Sequence, residues 1–537
     1  MKKIILLFIE ILCFAEAYAQ NPPITPAWAF GHFVWEDSLN NSYSTYKITN
    51  DYLAKNIPVD AVIIDSPWSN TYNDFDWDST RYEKPLSMIQ SLNNKKIKII
   101  LWLTGNINEQ CKDTKLQKSP MYDYVRSHHF GVNNSEPYNW WKGRGIHLDF
   151  TNEEAKNWWY SQLDKVFTNG VYGWKVDQGE DWLGDFVETS KGKMSKEQFK
   201  PYYYDAMYDY TVSRKPEGII IARPYSHQGG YASSVDKMNM GWCGDFSGDW
   251  QGLHNQIHDI YMSALRGYGA IGCEVGGFYM KKSDRQQFAR YAQFGCMTAC
   301  MINGGENGAF SNHLPWYHGK DIECIYRFCV SLHQELRPYM FSSIVDSHLH
   351  GGSLIRNVSF QEESHLVGSD IFTKPITTSN DSTSFHLPPF GHWINFWNGK
   401  KYNAGTKMHE KYQLSKFPLF IKSGAIIPLQ INDNTTELGD STMKNRNVFM
   451  IWPNGLSQRI FHLPVSEGIE YENVFISYDE HQGHFTLHSK NSRKYTIVFR
   501  NIHNIRSVKG ATYWKYNKSS NCLRIDINTN NAEIAIL

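Results

Sequence analysis

The chain has 537 residues, with 54 basic and 54 acidic side chains, 41% hydrophobic content and 20% charged content. This is ordinary globular composition with ample apolar material for large cores, and a net charge of zero with no long basic block excludes a binder that works by neutralising nucleic-acid phosphates. The unusual quantity is aromatic: 18 Trp, 32 Tyr and 29 Phe, whose flat apolar faces serve core packing and also line small-molecule clefts.

Met1-Lys2-Lys3, the apolar run 4–14 and the small-residue site Ala17-Tyr18-Ala19 read as a cleavable export signal over residues 1–19. The expected location is secreted or periplasmic. The run is too short to span a bilayer, and no later stretch reaches about 18 uninterrupted apolar residues, so no membrane anchor is expected. The cysteines after it include no CxxC pair, which argues against structural zinc; most are expected to be buried free thiols.

From the first Trp-rich segment onward, short apolar runs alternate with longer amphipathic ones. Strands are predicted at 28–35, 61–65, 97–103, 172–177, 218–223, 238–245, 270–276 and 300–304, and helices at 46–55, 85–93, 153–169, 196–214, 251–266 and 284–298. Continuous apolar runs separated by amphipathic helices are the pattern of buried parallel strands in βα units. Eight of them predict an α/β fold, a (β/α)8 TIM barrel, over residues 20–345. The segment 104–171 is an insertion carrying Trp140 and Trp141. Beyond residue 345 short apolar segments alternate with Gly, Pro, Asn and Ser clusters, which predicts C-terminal antiparallel β-sandwich domains over 346–430 and 431–537.

Barrel chemistry sits at the carboxyl ends of the strands. Read in order, those ends carry Asp65, Trp102, Asp177, Arg223, Asp245 and Glu274. A carboxylate straight after an apolar run costs desolvation unless something uses it, and four on one face point to a site. Alternation along Gly173-Trp174-Lys175-Val176-Asp177 puts Lys175 and Asp177 on one face, so the ammonium is expected to hold Asp177 ionised, as a nucleophile requires. Asp245 follows a Trp-flanked, Gly-loosened turn of the kind that raises a carboxyl pKa. Asp249 competes for the acid role but lies directly before the next helix. A carboxylate and a carboxylic acid facing one pocket form the nucleophile and acid/base pair of a retaining glycosidase.

With these residues in view the chain resembles glycoside hydrolase family 31, the retaining α-glycosidases. The motifs run in the family's order: Pro58-Val59-Asp60 with Ile64-Asp65 and Phe75-Asp76-Trp77-Asp78; Trp141 with Asp149-Phe150-Thr151-Asn152; Lys175-Val176-Asp177; Arg223; Trp242-Cys243-Gly244-Asp245; Glu274-Val275-Gly276-Gly277-Phe278; and Asn312-His313 with Pro315-Trp316. Leu387-Pro388-Pro389-Phe390-Gly391-His392-Trp393 and Ser423-Gly424-Ala425-Ile426-Ile427-Pro428 continue the likeness in the β region. The resemblance implies Asp177 as nucleophile and Asp245 as general acid/base, with Asp65, Trp141, Arg223, Trp242 and His313 lining the pocket for a non-reducing-end α-linked sugar. Trp102, Lys175 and Glu274 join them as substrate-binding candidates from their strand ends. It implies no cofactor and no metal, and a glycoside or oligosaccharide as the partner. Three departures stand out: the family's usual N-terminal β-sandwich has no counterpart before the barrel, Glu274 replaces the common Asp, and Ser311 stands where Arg commonly precedes Asn-His.

A transglycosylase or α-glucan lyase on the same scaffold would be separated by product analysis. A non-catalytic sugar-binding protein would bind without turnover. Gly267-Tyr268-Gly269-Ala270-Ile271-Gly272 is a literal GxGxxG, but it closes a predicted helix and opens a strand, the reverse of a dinucleotide fingerprint. His348 and His350, two apart on a presumed strand, lack a third metal ligand, and Asp74-Phe75-Asp76-Trp77-Asp78 lacks the Gly and Glu of a calcium loop.

Overall fold

A computed structural model describes residues 20–279 and 283–537; the export signal read at 1–19 lies outside them. Eight parallel strands form the barrel: β1 (His32–Glu36), β2 (Ala61–Ile64), β3 (Lys98–Leu103), β4 (Gly173–Val176), β5 (Ile219–Ala222), β6 (Met240–Gly241), β7 (Cys273–Val275) and β8 (Met301–Gly305). Their hydrogen-bonded order is β6-β5-β4-β3-β2-β1-β8-β7. A parallel bridge between Gly241 and Ile271 closes the ring between β6 and β7. Apart from the termini of β1 and β3, the inward Lys175 and Glu274, and Asn303, the strands are apolar or small because both faces are covered, one by the barrel interior and one by the helical ring.

All eight predicted strands and all six predicted helices are present. Side chains fix where the helices begin: Asn41 accepts from Ser44 N at 3.0 Å, Ser195 forms a capping box with Gln198, and Asp284 forms one with Gln287. Asp249 caps Trp250–Arg266 by accepting from Gly252 N at 2.9 Å, which ties it to helix initiation. That helix ends at Gly267 with φ +101°, so the GxGxxG run is a left-handed helix stop.

The structure corrects several boundaries. Residues Ala27–Ala29 are a short 3₁₀ turn, so the first strand starts at His32, and β6 is only two residues long. Helices Lys320–Glu335 and Arg337–His350 complete the barrel layer. The second has buried residues on almost every side, Tyr339 to Val345 among them, and so lacks an amphipathic period. His348 and His350 therefore sit in the last turn of a helix, and His348 Nδ1 bonds Pro22 O at 2.9 Å.

The β region has a six-stranded antiparallel sheet from Ile355–Ser359 to Leu419–Lys422, covered by the ribbon Ser382–His386 with Lys407–Lys411 around Phe372, Phe385, Trp393 and Phe420. Two five-stranded sheets follow, sandwiching Phe449, Phe461, Phe485 and Ile497. Two details depart from a purely antiparallel reading. Asn447–Ile451 pairs in parallel with Tyr495–Phe499, because the intervening strands belong to the opposite sheet. Strand Ile426–Leu429 pairs with Asn447–Ile451, so its hydrogen bonds cross the predicted boundary at residue 430. Arg459, on strand Leu456–Pro464, joins the layers: its guanidinium reaches Asp346 at 2.8 Å on the last barrel helix and Asp370 at 2.6 Å beside the six-stranded sheet.

Candidate active site

The carboxyl ends of β1 to β7 converge on one pocket. Asp65, just past β2, accepts from Trp35 Nε1 at 2.8 Å and from Lys175 Nζ at 2.7 Å through one oxygen, and from Ser66 N at 2.7 Å through the other. Lys175 on β4 lies between two indoles, 3.7 Å from the Trp35 ring centroid and 4.2 Å from that of Trp242, a geometry that compensates a desolvated ammonium through its stem and charge. The Lys175 ammonium thus pairs with Asp65 across the barrel and not with Asp177, its neighbour along the strand.

Asp177 has other partners. Arg223, after β5, donates to its Oδ1 at 2.9 Å, and the Trp102 indole at the end of β3 donates to Oδ2 at 3.0 Å. Burial pushes the Asp177 carboxyl up, but the charges of Arg223 and Lys175 and the two donors outweigh it and hold it below the ordinary carboxylate value. Arg223 in turn stacks 4.1 Å over the Trp242 ring. Gly244, with φ +115°, makes room for it: a Cβ there would fall 2.3 Å from Arg223 Nη1.

Asp245, beyond β6, accepts no hydrogen bond from a described residue. Burial first, and then the charges of Asp177 and Asp65, push it up to about 6, against the opposing pull of Arg223 and Lys175. Glu274 on β7 is 1% exposed, and neither of its carboxyl oxygens has a hydrogen-bond partner among the described residues. Burial and the nearby Asp245 raise it well above the ordinary value. Two buried ion pairs, Lys175 with Asp65 and Arg223 with Asp177, thus stand beside Asp245 and Glu274, whose burial favours the protonated form. That balance is what lets so many ionisable groups share a dry pocket.

Trp141 meets Trp102 edge-on at 6.0 Å between centroids and tilts against Trp182 at 6.3 Å. Trp182 is 42% exposed, so an aromatic wall runs from the nucleophile candidate to solvent. Trp141 Nε1, Trp242 Nε1 and Arg223 Nε are buried without an acceptor among the described residues, donors of the kind that sugar hydroxyls satisfy. Asp149-Phe150-Thr151-Asn152 plays a structural part: Asn152 caps helix Glu153–Phe167, and Asp149 accepts from Thr151 N at 2.9 Å.

The structure brings together Asp65, Trp102, Trp141, Lys175, Asp177, Arg223, Trp242, Asp245 and Glu274. His313 is set apart. It is fully buried, with Nδ1 against Gly276 O and Nε2 against Tyr279 O; burial lowers its pKa, and a neutral imidazole with one N–H donates to one of these carbonyls at a time. Two members escaped sequence reasoning. Trp35, which orients Asp65, was legible only as a core aromatic. Asp37 follows β1 directly and carries the same signal as the other strand ends, an acid after an apolar run, but a first strand ending at residue 35 leaves it unread. Among the described residues no three His, Cys, Asp or Glu side chains gather into a group that could hold a metal, no helix is long and apolar enough to cross a membrane, and the cysteines are free thiols.

A family model described as the glycosyl hydrolases family 31 TIM-barrel domain matches residues 22–343, and one described as the glycosyl hydrolase family 31 C-terminal domain matches residues 340–427. Alpha-glucosidase 2 of Bacillus thermoamyloliquefaciens is 23% identical over 454 residues, covering 81% of this chain and 56% of that protein. The isomaltosyltransferase of Sporosarcina globispora is 22% identical, covering 92% of this chain and 50% of that protein. The chain thus spans about half the length of these relatives. A dextranase of Flavobacterium johnsoniae complexed with glucose shares the fold at a TM-score of 0.82 and 19% identity, over 96% of this chain and 71% of the other.

Proposed function

We propose that this chain, which belongs to glycosyl hydrolase family 31, is an exported α-glycosidase that removes non-reducing-end α-linked sugars with retention of configuration. The observation that carries the reading is the contrast between two buried strand-end carboxyls: Asp177 takes hydrogen bonds from Arg223 and Trp102 and is held low, whereas Asp245 has no described donor and is raised to about 6. In the first step Asp177 attacks the anomeric carbon while Asp245 gives its proton to the departing oxygen, leaving a β-linked glycosyl ester. In the second, the Asp245 carboxylate takes a proton from water, which attacks C1 and expels Asp177. Arg223 keeps the nucleophile ionised and steadies it as a leaving group. Asp65, aligned by Lys175 and Trp35, is the acceptor for glycone hydroxyls.

Export rests on the leader at residues 1–19. Relatives named as an alpha-glucosidase and an isomaltosyltransferase leave two fates for the same ester, transfer to water or to a sugar hydroxyl. Proton NMR of the first turnover of an aryl α-glycoside tests the reading. An α-configured free sugar is expected before mutarotation; a β-anomer would sink it, and a new glycosidic linkage would assign transfer.

The activity should also follow a defined pH profile. Asp177 must be ionised, and its depressed value puts the acid limb of kcat/KM below the ordinary carboxylate range. Asp245 must be protonated, so kcat/KM falls as pH rises through about 6. In Asp245→Asn the alkaline limb should vanish with most of the rate. A wild-type profile flat from pH 5 to 9 would remove Asp245 from the acid role.

A further inference from the structure

Resting on that reading, we propose that Asp37, opposite Lys142 at the pocket mouth, hydrogen-bonds the C4–C6 end of the glycone and makes the enzyme a hexosidase that rejects pentoses. The ring order carries the geometry. The reacting pair lies just beyond β4 and just beyond β6, flanking β5, and in an eight-stranded closed ring β1 lies across from β5. A pyranose with its anomeric carbon between Asp177 and Asp245 therefore points its far end at β1 and β2.

Asp37 stands there. Trp35 turns into the barrel, since its indole bonds Asp65 and stacks on Lys175. Strand alternation carries residue 37 to the same side, one step nearer the mouth. Asp65 N bonds Glu36 O at 3.0 Å, so Asp37 and Asp65 are neighbours on adjacent strand ends. One Asp37 oxygen accepts from Ser38 N at 2.7 Å, and the other accepts from no described residue. Burial and the Asp65 charge push its carboxyl up to about 7, while Lys142 and Lys175 pull it down. A half-desolvated carboxyl with one free oxygen is costly unless a ligand hydroxyl uses it. Lys142 supplies the complementary donor, with Nζ 4.4 Å from the Trp141 centroid and 5.5 Å from that of Tyr72. An acid and an amine suit a hydroxymethyl oxygen; a pentose has only hydrogen there and leaves both unpaired.

The test compares kcat/KM for 4-nitrophenyl α-glucoside, α-galactoside and α-xyloside in wild type, Asp37→Ala and Asp37→Asn. Wild type should favour one hexoside over the xyloside by about 100-fold. That ratio should collapse to within a few-fold in Asp37→Ala and be partly kept in Asp37→Asn, which retains an acceptor. A wild type that prefers the xyloside, or an Asp37→Ala ratio equal to that of wild type, would overturn the inference. Calorimetry with glucose, galactose and xylose makes the same comparison without turnover. A hexose preference that disappears in Asp37→Ala, in a protein that turns over no α-glycoside, would reject the glycosidase reading and keep this one.

Discussion

Asp177→Ala is expected to lower kcat on aryl α-glycosides by on the order of 10⁴-fold or more, because the covalent step has no substitute at this site. The variant also leaves Arg223 buried beside a lost partner, since the two are 2.9 Å apart and each almost fully buried. A fall in activity could then come from a disturbed fold. Azide separates the two causes. It fits the volume of the deleted carboxylate and attacks C1 from the same face, so a folded Asp177→Ala protein should regain turnover of a nitrophenyl α-glycoside and release a β-glycosyl azide. Asp177→Asn, which keeps the shape and an acceptor for Trp102, should fold like wild type and be equally slow. Activity within tenfold of wild type in either variant would exclude Asp177 as the nucleophile.

The second large effect concerns stability. Lys175→Met removes one charge of a pair whose members are 3% and 4% exposed and 2.7 Å apart. Asp65 keeps the Trp35 and Ser66 donors but loses its counter-charge, and removing one partner of a buried pair costs about 3–5 kcal/mol. Thermal unfolding followed by near-UV circular dichroism should show a clearly lowered Tm. The double variant Lys175→Met/Asp65→Asn, in which no uncompensated charge is left, should recover much of that loss while staying inactive. Failure of the double variant to recover would mean that packing of the Lys175 stem between Trp35 and Trp242 carries the stability. An unchanged Tm in the single variant would contradict the pairing itself.

Much of this architecture is legible in the sequence because buried parallel strands leave a strong mark. Runs such as Ala61-Val62-Ile63-Ile64 have no solvent-facing side, so apolar continuity and the acid that follows, here Asp65, survive together. The pairing inside the barrel is less legible. Alternation relates Lys175 only to its own strand and suggests Asp177, whereas the bond to Asp65 depends on how far the ring curves between β2 and β4. The setting of His313 is hidden for a similar reason: a motif carries its identity, but the Gly276 and Tyr279 carbonyls that face its ring come from a loop some thirty-five residues away. Asp37 shows the cost of a boundary misplaced by one residue, since β1 runs on through Glu36. Helix Arg337–His350 is hidden by being too well buried, with no polar stripe to reveal its turn.

That same helix has a consequence for how the molecule is made. Its outer face is covered by strand Leu456–Pro464: His462 N bonds Ser342 Oγ at 3.0 Å, and Arg459 reaches Asp346 across 113 residues of sequence. A nascent chain that has delivered all eight barrel strands still has the barrel's last helix uncovered on that side. The barrel is finished only when residues far into the β region arrive, and until then its apolar seam is open to wrong partners. Synthesis order and completion order differ here, so the final β layers act as the lock on a barrel synthesised long before them.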